Sequence, residues 1–166
     1  MSLSMYAITV PVFTRYLNNL DAILVKAEAN ATERKIKPEV LVAARLAPDM
    51  HPLAFQVQST TDRMKFALSR LTGKTPPSWE DNEVTIADLR GRIAKALEFV
   101  QSFAEADLAG SENKVLTLKV RGEDTQVPAL EHITLNAVPQ IFFHVTTAYA
   151  ILRHNGVPVG KRDYTG

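Results

Sequence analysis

Apolar residues recur at intervals of three and four along four long segments of this chain, a spacing that commits most of its length to helices with one buried face. The first segment carries Phe13, Tyr16, Leu17, Leu20, Ile23, Leu24 and Ala27, and the second Leu53, Val57, Thr60, Met64, Ala67 and Leu71, ended by Gly73. The third carries Ile86, Leu89, Ile93, Leu97, Val100 and Phe103. The fourth runs from Leu130 to Asn155 and turns Val138, Ile141, Val145, Ala148, Tyr149 and Leu152 toward the core, with Asn155 and Gly156 closing it. Four comparable helices in succession predict an all-α four-helix bundle, of up-and-down or crossover connectivity.

The segment ends carry their own signals. Thr9 is the expected cap of the first helix, with Pro11 in its first turn, and an earlier start from Ser4 is the alternative. Asp49 is the expected cap of the second helix. Thr85 and Asp88 form a carboxylate version of the capping box at the start of the third. Between the first two helices, Pro38 and Pro48 break the segment into a connector, with a short helix from Pro38 through Leu41 to Arg45 as the alternative. In the loop TGKTPPSWEDNE, Trp79 is expected as a lid over the end of the core, with a ligand-stacking platform as the alternative. In KVLTLKVRGEDTQVP, residues 114 to 128, two β-favouring runs flank the turn residues RGED, which predicts a short hairpin between the third and fourth helices.

Composition narrows the function classes. The chain has 166 residues, within the range of one domain spanning 1–166, with 46% hydrophobic and 22% charged residues. Its net charge of +1, with both signs interspersed, offers no field to recruit nucleic acid. It has no cysteine, so any metal would need His, carboxylate or amide ligands. The start of the chain does not read as a secretory signal, and Ala137 to Leu152 is shorter than a membrane span and interrupted by Gln140 and His144. A cytoplasmic protein is expected. No G-x-S-x-G elbow, Walker motif or G-x-G-x-x-G fingerprint is present.

One polar ridge interrupts the most apolar helix. Asn136, Gln140, His144 and Thr147 share a side of the fourth helix, and residues four apart can face one ion or small ligand. The structural reading is a buried histidine satisfied by a neighbour, with Gln140 and Asn136 bonded across the bundle or at a dimer contact. His51 and Asp49, near the start of the second helix, are the further ligand candidates. Helical periodicity turns Asp49 toward the core and His51 away from it. His132 and His154 fall in the first and last turns of the fourth helix and are expected at the surface.

Four stretches, SMYAITVPVF, ARLAPDMHPLAFQVQ, PPSWED and FFHVTTAYAILRHNGVPVGKRDY, resemble one bacterial branch of the DinB/YfiT-like superfamily, and the resemblance spans essentially the whole chain. It implies a four-helix bundle, often a homodimer, in a superfamily whose better-known members hold a divalent metal such as zinc or nickel through three histidines. Some of those act as metal-dependent thiol transferases. His144 matches the second histidine of the superfamily's H-x-x-x-H pair, Gln140 stands in the position of the first, and His51 falls near the third. The glutamine implies a degenerate metal site. Two functions are therefore expected: a bundle protein that binds a small ligand or acts by dimerisation, or a metal-dependent transferase or hydrolase using His144, Gln140 and His51 or Asp49. A regulatory partner of another protein is a third.

Overall fold

Ser4, rather than Thr9, opens the first helix. In the computed structural model, which describes residues 4–166, helix α1 runs Met5–Glu33, and the Ser4 hydroxyl accepts the Ala7 amide at 3.2 Å. Thr9 lies buried inside the helix, where its hydroxyl donates to the Met5 carbonyl at 2.6 Å. Pro11 is therefore interior as well. It cannot bond the Ala7 carbonyl, but Ala7 and Pro11 are both exposed, so water can satisfy that oxygen. The predicted face of Phe13, Leu17, Leu20, Ile23, Leu24 and Ala27 is fully buried, each of the larger side chains contributing about 1.5–3 kcal/mol of burial.

A short helix, α2 (Pro38–Ala43), occupies the connector. Helix α3 (Leu53–Thr72) ends on Gly73 at φ 81°, the left-handed geometry for which glycine is suited. Its start departs from expectation. Asp49 sits exposed in a turn and caps nothing, because Pro52 disfavours helical geometry at His51 and the helix begins only after it. Helix α4 (Ile86–Gln101) opens with the predicted box: Thr85 Oγ1 accepts the Asp88 amide at 3.1 Å and Asp88 Oδ2 the Thr85 amide at 2.8 Å.

After a one-turn helix, α5 (Glu105–Leu108), strands β1 (Val115–Val120) and β2 (Glu123–Pro128) pair antiparallel. Arg121 and Gly122 form the two-residue turn at φ 53° and 92°, the twist that matches paired strands. The last long helix comes in parts: α6 (Ala129–Glu131), a π-helical segment at His132–Ala137, and α7 (Val138–His154). Pro139 accounts for the widened turn, since it has no N–H for the Leu135 carbonyl and would clash with it in a regular helix. A final helix, α8 (Lys161–Thr165), lies on α1 through Asn19 to the Tyr164 carbonyl at 2.9 Å and Lys26 to Asp163 at 2.6 Å.

Helix α1 packs on α4, α4 on α3, α3 on α7 and α7 on α1. The first and second long helices, α1 and α3, are thus diagonal, which makes this a crossover bundle. Among the described residues no helix is long and apolar enough to cross a membrane. The 73–85 loop is tied down by Arg92 of α4, whose side chain is 2% exposed. Its guanidinium donates to Thr61 at 2.8 Å, Asp62 at 3.0 Å, Asp81 at 2.7 Å and Glu83 at 2.9 Å. Trp79 lies half-buried against the core, as a lid should, with Lys65 Nζ 4.3 Å from its ring centroid.

Candidate functional site: a locked histidine between α3 and α7

The seam between α3 and α7 holds His144, 8% exposed. Its Nδ1 lies 2.8 Å from Gln56 Oε1, and Gln56 Nε2 donates to the His51 carbonyl at 3.0 Å. A carbonyl only accepts, so the Gln56 amide nitrogen must face His51 and its oxygen must face His144. That oxygen accepts, so Nδ1 carries the imidazole proton. Nε2 is left with a lone pair and no hydrogen-bond partner among the described residues. Burial, with the Arg63 guanidinium and His51 nearby, pushes the His144 pKa down to about 4. The ring is neutral at physiological pH.

Two aromatic rings frame it edge-on: Phe55 at 6.0 Å and Phe143 at 5.4 Å between centroids. His51 stacks on Phe55 at 3.9 Å. It enters the arrangement through its backbone carbonyl and its ring contact with Phe55. His51 is exposed, on the side away from the core that was expected, and because it precedes the helix its position follows from the turn before Pro52 rather than from helical periodicity. Asp49, expected on the core-facing side, is exposed.

The polar ridge divides in two. Gln140 Nε2 donates to Asn136 Oδ1 at 2.8 Å and makes no bond with the Gln56–His144 pair. Thr147 is buried and returns its hydroxyl to the Phe143 carbonyl at 2.8 Å. Among the described residues no three His, Cys, Asp or Glu side chains come together as a metal-ligand group. The residues around His144 therefore do not match the three-histidine set that the superfamily resemblance implies.

Four participants escaped the sequence reading: Gln56, His132, Arg63 and Arg70. Gln56 was marked by its position, three residues after Leu53 and four before Thr60, inside an otherwise core-facing stripe. His132, expected at the surface, is 5% exposed, and its Nε2 lies 3.3 Å from Arg70 Nη1. Beside it, Arg63, Phe66, Arg70, His132, Asn136 and Ala137 line a cavity of about 90 Å³ between α3 and the π-helical segment. Burial and the neighbouring Arg70 lower the pKa of both Arg63 and His132.

A crossover bundle of four long helices, with a short hairpin before the last, is the architecture of a DinB-like helical bundle. It is similar to the 1.83 Å crystal structure of a DinB family member protein from Shewanella denitrificans, with a TM-score of 0.92 and 43% sequence identity over 98% of this chain and 92% of that one. The chain belongs to the family described as Domain of unknown function (DUF1993), which matches residues 5–165. No curated protein matches it.

Proposed function

We propose that this protein is a DinB-like bundle that uses His144 to hold a small ligand at the α3–α7 seam, in place of a three-histidine metal centre. The observation that carries this reading is the hydrogen bond from His144 Nδ1 to Gln56 Oε1. It fixes one neutral tautomer and presents Nε2 as an acceptor. A single imidazole nitrogen, with Gln140 turned to Asn136, suits a hydrogen bond from a ligand better than a divalent ion, which needs several donors. The metal-dependent transferase or hydrolase remains the competing reading, since an imidazole with a free lone pair is also a metal ligand. Self-association belongs to the same proposal, supported by Phe143, 58% exposed on the fourth long helix.

Calorimetric titration of tag-free protein with zinc and nickel separates the readings. The expected result is weak binding by the wild type and tighter binding by Gln140→His, which restores a pair of imidazoles four residues apart. Tight zinc or nickel binding by the wild type, abolished in His144→Ala, overturns the ligand reading in favour of the metal enzyme.

A further inference from the structure

Arg63 and Arg70 stand seven residues apart on α3, hence on one helical face. Across the cavity from them lie His132 and Asn136 of the π-helical segment. Arg63 makes no hydrogen bond and no ion pair with any described residue, and its Nε is shut away from solvent without a partner. Arg70 has one bond, to His132. A guanidinium only donates, so His132 Nε2 accepts and its Nδ1 carries the proton. Asn136 Oδ1 already accepts from Gln140, which leaves the Asn136 amide nitrogen as its free group. The cavity is thus lined by donors and cations, and no carboxylate lines it.

The two arginines of α4 are treated differently. Arg92 meets Asp62, Asp81 and Glu83, and Arg90 meets Asp21 and Glu28. A partly buried cation such as Arg63 without a counter-charge is costly, and a second cation beside it is worse. A cavity of about 90 Å³ holds the equivalent of about three waters at ~30 Å³ each. That is room for one small oxyanion group, not for a whole metabolite. Arg70 is exposed, which leaves the cavity a side open to solvent. Widened helical turns, moreover, are frequent at functional sites.

We propose that this cavity binds the phosphate group of a small phosphomonoester, clamped by the guanidinium groups of Arg63 and Arg70 and by the Asn136 amide. Two guanidinium charges match a group that carries close to two negative charges near neutral pH. A carboxylate would leave one charge uncompensated. His144 does not line this cavity, although the Arg63 guanidinium lies near both.

The test titrates inorganic phosphate into the wild-type protein at neutral pH and constant ionic strength, following the His132 side-chain resonances and the heat of binding. A saturable shift at His132 is expected, with affinity at least tenfold weaker in Arg63→Gln and in Arg70→Gln and no comparable response to acetate. Phosphate that acts no differently from sodium chloride overturns the proposal. So does binding unchanged in both arginine variants, and acetate binding as tight as phosphate reassigns the site to carboxylates and equally overturns it. Should either variant fail to fold, the wild-type His132 titration decides alone, and an absence of a saturable shift counts against the site.

Discussion

Gln56 Oε1 lies 2.8 Å from His144 Nδ1, and the same amide is anchored from behind by the His51 carbonyl, so a residue just ahead of α3 sets the tautomer of a histidine on α7. Replacing Gln56 with Ala strands a buried N–H, at a cost of about 1–3 kcal/mol. Thermal unfolding several degrees below wild type is expected. Gln56→Glu places a carboxylate against the imidazole and should raise the His144 pKa well above its wild-type value in an NMR titration. An unchanged melting temperature in Gln56→Ala shows that the bond is not made in solution.

Stability should fall as the pH drops from about 6.5 to about 4. His144 has a folded-state pKa near 4, below its ordinary value of 6.5, because burial disfavours the imidazolium. In that window the unfolded chain binds more protons than the native one, so protons pull the equilibrium toward unfolding. The contribution is present in full above 6.5 and is lost progressively toward 4, on the order of 3 kcal/mol in all. His132 is shifted in the same direction and adds to the same loss. Urea unfolding across this range, in wild type and His144→Phe, checks it, and an equal acid slope in both proteins counts against His144 as the cause.

Arg92→Met should be among the most damaging single substitutions outside the apolar core. It leaves Glu83, whose side chain is 7% exposed, without its cation, and removing one partner of a buried pair costs about 3–5 kcal/mol. The 73–85 loop should also loosen, visible as faster proteolysis and altered Trp79 fluorescence. A variant with wild-type unfolding and loop protection would mean that Thr61, Asp62 and Asp81 do not depend on the guanidinium.

The protein is expected to sediment as a homodimer at micromolar concentration, and Phe143→Lys to sediment as a monomer. Phe143 already gives most of its ring to solvent, so a charge there should damage association more than folding. A wild type that stays monomeric sinks the dimer.

Helix number, helix faces, the hairpin, the Thr85 cap and Gly73 were all readable because each depends on neighbours within about four residues. The errors share one source, which is proline. Pro11 suggested a first turn but is tolerated in mid-helix on a wet face. Pro52 moved the start of α3 and left Asp49 outside it, and Pro139 widened the turn that buries His132. The Gln56–His144 bond joins positions 88 apart, and the Arg63–Arg70–His132 cavity needs two helices brought together. Periodicity along one helix fixes a face, not the residue opposite.

The diagonal placement of α1 and α3 bears on how the chain reaches its native state. As it leaves the ribosome, α1 has no adjacent helix to cover its apolar face. Its partners arrive late: the Asp21–Arg90 bond closes over 69 residues, and Arg15 meets the Thr165 carbonyl only across 150. Such distant closures slow the search relative to a bundle of nearest neighbours. Helix α1 is therefore a natural client for a chaperone until α7 and α8 have been made.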